Sequence, residues 1–333
     1  MESIGIQQQF FNHLKSILPS HLSLADAMGD LLNLSADSVY RRIRGEKELS
    51  LGELKILCEH FHVSLDQVLQ MKNNTIVFHA PEFDQSEHNF GDYLQRMLNQ
   101  LTYINSFKKK EFLYSAKDIF VIHSFHVKEL AAFKIFFWSK SIMNNPDLKD
   151  RYFSIRDYPF DDYFLLGQKV IKEYNEMPSS EVWNFETMSS TIHQIEYYRD
   201  AGLFKTKEDL HAVVDATDIM LTHIQNQAEK GHKYMYGHGE AGHRMPVKYY
   251  IQDLILGNNS ALVEIDGKYL SYLNHGVLHY LITSDERFNS RANSSFHTLL
   301  SRSTLISQTS EKERSRFFRT LREKVQACKN GSL

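Results

Sequence analysis

Between Leu34 and Ser50 the chain reads LSADSVYRRIRGEKELS, with Arg41, Arg42 and Arg44 close together and Lys47 just beyond. Side chains of this kind support two kinds of chemistry. A guanidinium can donate in parallel to O6 and N7 of a guanine, and any of these cations can offset a phosphate. The cluster is local, because the formal charge of the whole chain is −3. That total argues against bulk affinity for nucleic acid, but it leaves room for one basic face.

Three other groupings could carry chemistry and are read as ordinary structure. His126-Val127-Lys128 has the HxK order of phospholipase-D-type sites. Those sites need an Asp five residues after the Lys and a second copy; here the position is Phe133 and no second copy exists. His232, His238, Glu240 and His243 crowd a glycine-rich stretch at 231–246 and could ligate zinc or nickel. Nothing fixes them on one face, so a surface loop with scattered histidines is expected and no metal. The segment 301–319 mixes hydroxyls with Arg302, Lys312, Arg314 and Arg316. It is read as two helices meeting at Thr309-Ser310, with Ser310 and Glu313 forming a capping box rather than an anion site. No glycine-rich phosphate loop, HExxH or paired CxxC is found, and no catalytic residue or cofactor is expected. Cys58 and Cys328 are the only cysteines and make neither a disulfide framework nor a metal site.

The first seventy residues read as short capped helices. Phe10, Phe11, Leu14, Ile17 and Leu18 share one helical face, and Ala25, Met28, Leu31 and Leu32 share another. Ser35 is the expected cap of a helix over 36–44, stopped by Gly45. Ser50 is the expected cap of the next, with Leu51, Leu54, Leu57, Cys58 and Phe61 inside. Ser64 is the expected cap of a last short one. MKNNT at 71–75 reads as a linker.

Beyond it the pattern changes. Residues 75–83 and 111–125 are rich in β-branched and aromatic residues and read as strands, with a helix at 89–107 between them. The run 128–143 is apolar on most sides and reads as a buried helix. From Phe164 to about Gln227 the pattern is helical, broken at Asn175–Ser180. Residues 247–256, 260–265 and 268–273 read as strands, the last two joined by a hairpin at Asp266-Gly267. Helices are expected at 292–306 and 311–326, the second with an apolar stripe of Phe317, Phe318, Leu321 and Val325. No apolar run is long enough to cross a membrane, and no leader peptide is evident at the N-terminus.

Two helices joined by Asn33-Leu34-Ser35, the second one basic, suggest a helix-turn-helix. The stretch LADAMGDLLNLSADSVYRRIRGEKELSLGELKILCEHFHVSLDQVL resembles the repressor-type domains of the Cro and lambda-repressor kind, the xenobiotic response element family. The resemblance covers about residues 10–70. It departs where the family commonly has Gln early in the first helix of the motif, here Ala25, and where the family often has Trp or Ile followed by Glu, here Arg42-Ile43. It implies that Ala36, Asp37, Ser38 and Arg41 face bases. Arg42, Arg44 and Lys47 are assigned to phosphates, and Ser35 and Tyr40 complete the exposed face.

The expected architecture is mainly α: a five-helix helix-turn-helix bundle over 1–72, followed by a larger, mostly helical α+β domain over 76–330, with a division near 230–246 left open. The expected function is a cytoplasmic, bacterial, sequence-specific DNA-binding transcription regulator. Its expected partners are double-stranded DNA, a second copy forming a homodimer, and a small-molecule or peptide effector; no membrane is expected. A protein-binding, antitoxin-like module and an enzyme in the larger domain are the alternatives.

Overall fold

The computed structural model describes residues 5–18, 22–61, 63–68, 75–80, 90–157, 160–238, 244–254, 257–276 and 279–330, with the backbone alone at 66 and 67. The chain divides into two compact units, Met1–Phe78 and His79–Leu333.

The first unit contains α1 (Ile6–Ile17), α2 (Leu24–Leu32), α3 (Ala36–Ile43), α4 (Leu51–His60) and the single-turn α5 (Leu65–Val68). Each has an apolar stripe at three- and four-residue spacing, and the stripes meet in one core of Phe10, Phe11, Leu14, Met28, Val39 and Leu57 with their neighbours. The α2–α3 turn closes on Asn33, which adopts the left-handed conformation at φ 51° and ψ 49°. Asn tolerates that region better than most residues. Gly29 sits under the crossing, where an added Cβ would stand 3.4 Å from the Leu34 carbonyl oxygen. An alanine would therefore be accommodated there. Leu51 departs from expectation: it is 85% exposed, because it occupies the outward side of the first turn of α4. The linker expected at 71–75 lies outside the described residues apart from Thr75.

The second unit is an α+β structure built on a seven-stranded mixed sheet in the order β6-β5-β4-β1-β2-β3-β7. β1 (Lys110–Ser115), β2 (Ser179–Trp183) and β3 (Val247–Ile251) run parallel. β4 (Ser260–Ile265), β5 (Lys268–Asn274) and β6 (Tyr280–Thr283) form an antiparallel meander beside β1, and the two-residue β7 (Thr304–Leu305) edges β3. The hairpin at Asp266-Gly267 is present, with both residues at positive φ (46° and 85°), as a tight hairpin turn requires. α6 (Phe90–Asn105), α7 (Lys128–Phe137), α8 (Asp161–Asn175), α9 (Ser189–Asp200), α10 (Lys207–Lys230) and α12 (Glu311–Ala327) contribute to one large core with one face of the sheet. α11 (Glu286–Ser301) lies on the other face, where Phe296 and Ala292 meet Leu113, Leu262 and Tyr269. Among the described residues no helix is long and apolar enough to cross a membrane.

Several sequence expectations need correction here. The strand expected over 111–125 ends at Ser115, and Val121–His126 is a short 3-10 helix. The run expected as a strand over 75–83 makes only an isolated bridge, His79 to Ile282, and residues 81–83 lie outside the described ones. β2 interrupts the region read as helical, because its five residues are all buried and show no alternation to betray a strand. The helix expected at 292–306 starts earlier, at Glu286, and ends at Ser301. The Ser310 capping box does not form: Ser310 is left-handed at φ 51° and makes no side-chain cap.

Candidate nucleic-acid interface

Every residue of the sequence-nominated interface lies on α3 or just beside it. Ser35 is the N-cap, its hydroxyl accepting a long hydrogen bond of 3.4 Å from the Ser38 N–H. Ser35 Oγ also donates to Ser38 Oγ at 3.2 Å, so both hydroxyls are engaged with each other. Ala36, Asp37, Tyr40, Arg41 and Arg44 are exposed at one-turn spacing and form a continuous outward face; Ser38 is half-buried at its edge.

The helix ends in a Schellman arrangement. Gly45, at φ 81°, donates its N–H to the Arg42 carbonyl at 3.0 Å, and the Glu46 N–H reaches the Arg41 carbonyl at 2.8 Å. This return brings Glu46 against the two outward arginines. Its carboxylate accepts from Arg44 Nε at 2.7 Å and lies 3.8 Å from Arg41 Nε. Both arginines stay more than half exposed, so these are surface pairs of small worth. The hydrogen bond from Arg44 holds the Glu46 carboxyl below its ordinary pKa.

Arg42 behaves differently from the expectation. It is 3% exposed, so it cannot meet a phosphate. Its Nη1 donates to the Ser38 carbonyl at 3.1 Å and its Nη2 to Glu53 Oε1 at 2.6 Å. The reason is its position three residues after Val39, which turns it onto the inner stripe with Val39 and Ile43. Glu53 in turn completes the α4 capping box. Its Oε2 accepts from the Ser50 N–H at 2.8 Å, and its own N–H donates to Ser50 Oγ at 3.2 Å. Partial burial pushes the Glu53 carboxyl up, but the hydrogen bonds from Ser50 and Arg42 outweigh it and hold the pKa below the usual value.

Gln7 of α1 is a contributor that sequence reasoning missed. Its Nε2 donates to the Arg42 and Lys47 carbonyls, both at 2.8 Å, and its Oε1 accepts from the Leu49 N–H at 2.9 Å. One amide thus fixes the loop that carries Lys47, which is itself exposed. No local pattern could have revealed it, since its partners lie 35 to 42 residues away.

The charge around the face is not uniform. α2 presents exposed Asp26 and Asp30 along an open groove, about 700 Å3, that runs past Asn33 to Ala36. Positive charge is confined to Arg41, Arg44 and Lys47, at the C-terminal end of α3 and in its loop.

In the second unit one group of titratable side chains gathers inside the core. Glu181 of β2 is fully buried and accepts from Tyr174 (2.7 Å) and Trp183 (2.9 Å), with His123 Nε2 at 3.0 Å. Burial pushes its carboxyl up, but His123 and these hydrogen bonds hold it below the ordinary range. Lys233 is also fully buried; it donates to the Tyr174 carbonyl and to Ser179, and burial lowers its pKa to about 7. His126 stacks on His123 and meets His223 edge-on at 4.4 Å. The histidine-rich stretch singled out above is dispersed: His232 lies beside the Lys230 carbonyl, His238 is exposed, and Glu240 and His243 lie outside the described residues. Among the described residues no group of three or more His, Cys, Asp or Glu side chains is placed to hold a metal ion. Arg314 is buried, and its Nη1 donates to the Ile306 and Thr309 carbonyls, so it braces the entry to α12.

No protein-family model matches the chain, and neither a curated protein nor a solved structure matches it.

Proposed function

We propose that the chain is a sequence-specific, DNA-binding transcription regulator. Its first unit would be a repressor-type helix-turn-helix domain, and its larger unit would dimerise or sense an effector. The observation that carries this reading is the outward face of α3. Tyr40, Arg41 and Arg44 are exposed there, the two arginines meeting only the surface carboxylate of Glu46 among the described ion pairs, while Arg42 is committed to the core. On such a helix the N-terminal half meets base edges and the C-terminal half meets phosphates. Ala36 offers a methyl contact, Asp37 an acceptor for cytosine, and Arg41 a guanidinium for guanine. Arg44 and Lys47 would position the domain on the backbone.

Asp26 and Asp30 favour a second reading, a protein-binding module whose partner is basic. In a helix-turn-helix the first helix crosses the DNA backbone, where carboxylates repel phosphates. One experiment separates the two readings. The full chain is titrated by fluorescence anisotropy with duplexes selected from a random pool, across a salt series, beside Arg41→Ala. Enrichment of a two-fold-symmetric site that Arg41→Ala relaxes is the expected result. A flat pool with no salt-dependent binding would overturn the DNA reading.

A further inference from the structure

The two faces of the seven-stranded sheet are unequally covered. α11 crosses the second face obliquely. Near its start, Asn289 bonds the Tyr269 carbonyl and Ser271 of β5; beyond its end, the Arg302 carbonyl accepts from Gln252, just past β3. Beside it a cleft of about 460 Å3 opens onto strands β1 to β5.

The two ends of this cleft carry opposite charge. At the β5 side, Glu111 and Glu264 stand directly opposite each other across the β1–β4 pair, and Tyr269 stands opposite Glu264. Like charges in that register repel. Lys109 neutralises Glu264 at 2.6 Å, but among the described residues no ion pair or hydrogen bond holds Glu111. Asn293 of α11 also lines the cleft, and its buried Oδ1 has no hydrogen-bond partner. An acceptor left in that state costs free energy that a donor would recover. At the other end Lys248 is exposed on β3, opposite Ser180, with Tyr250 two residues on. No carboxylate among the described residues pairs with it. Lys248 lies two strands over from Glu111 and two residues further along, roughly 12 Å between backbones. Burial raises the Tyr250 phenol above its ordinary pKa and the Glu111 charge adds to the shift, so that carboxylate acts on the cleft.

We propose that this cleft binds a small zwitterion of the amino-acid class, with its ammonium on Glu111 and Asn293 Oδ1 and its carboxylate toward Lys248. The volume is that of a small-molecule site. Tyr250 and Tyr269 also line the cleft. The binding partner supplies donors for Glu111 and Asn293 Oδ1 and an acceptor for Lys248. The inference stands apart from DNA binding, and its test uses no DNA.

Melting of the full-length protein is measured with each common free amino acid, and with ethylamine and acetate as single-charge controls. Any amino acid that raises the midpoint is then titrated calorimetrically. The expected result is a rise with at least one amino acid and none with either control. Glu111→Gln and Lys248→Met should each weaken that binding about tenfold or more, the loss of one charge-assisted contact. Lys248 is exposed and its replacement leaves the sheet pairing intact, so it decides alone should Glu111→Gln alter the fold. No rise with any amino acid, an equal rise with ethylamine, or a binding constant unchanged in Lys248→Met overturns the proposal.

Discussion

Arg42 Nη2 lies 2.6 Å from Glu53 Oε1, and the other oxygen of that carboxylate closes the capping box of α4. One carboxylate thus ties the helix bearing the outward arginines to the helix behind it. The pair is 4% and 19% exposed, so it is shielded from solvent and salt. Arg42→Ala should cost the first unit about 2–3 kcal/mol, because it strands a partly buried carboxylate. Arg41→Ala, on the exposed face, should leave stability alone and lose DNA. Hydrogen–deuterium exchange of α3 and α4 amides distinguishes them; equal exchange in the two variants would refute the division of roles.

Glu46 bears on the same face with the opposite sign. It occupies Arg44 and lies near Arg41, so a phosphate must displace it. Glu46→Gln should raise affinity for duplex DNA severalfold. It should also steepen the salt dependence, by about 0.9 in logarithmic slope for each further phosphate that the freed arginines neutralise. An anisotropy titration that shows unchanged affinity at low salt would mean that Arg44 does not face the backbone.

The second unit should lose stability in mild acid. Burial lowers His223 from 6.5 to about 4, and it lowers His126 in the same sense. Between those pH values the folded chain binds fewer protons than the unfolded one. Stability is therefore full above pH 6.5 and falls as the pH drops toward 4. For His223 the loss is about 3 kcal/mol at most. Trp138 and Trp183 are the only tryptophans, and both lie in the second unit, so fluorescence-detected urea melts report it selectively. His223→Gln should flatten the slope; an identical slope in the variant would show that the imidazole is not its source.

Packing at α8 sets a sharper constraint. A Cβ at Gly167 would stand 2.1 Å from a ring carbon of Phe125, which is itself fully buried. Gly167→Ala gains up to about 1 kcal/mol of helix propensity. It should still be destabilising, since overpacking a core costs about 1–3 kcal/mol. Adding Phe125→Leu should recover part of the loss, and thermal melts of the single and double variants measure the coupling.

What could be read in advance follows the range of the interaction that decides it. The caps at Ser35 and Ser50, the left-handed Asn33, the stop at Gly45 and the hairpin at Asp266-Gly267 are local, and each matches the residue type at its position. β2 was illegible because burial on both faces erases alternation and because Glu181 sits at its centre. The approach of His123, Tyr174 and Trp183 makes that carboxylate tolerable inside a core.

The same division holds at the interface. The amino-acid order alone determined that a basic helix begins at Ser35 and ends at Gly45, because capping and backbone conformation depend on near neighbours. Which of its arginines is free was decided by tertiary structure. Glu53 and Gln7 reach the α3 region from sequence distances of 11 and 35 residues, and only the packed core brings them there. The cleft beside α11 belongs wholly to that second kind. Glu111, Lys248 and Asn293 come from three distant segments, and it is the sheet register and the seat of Phe296 that set them around one space.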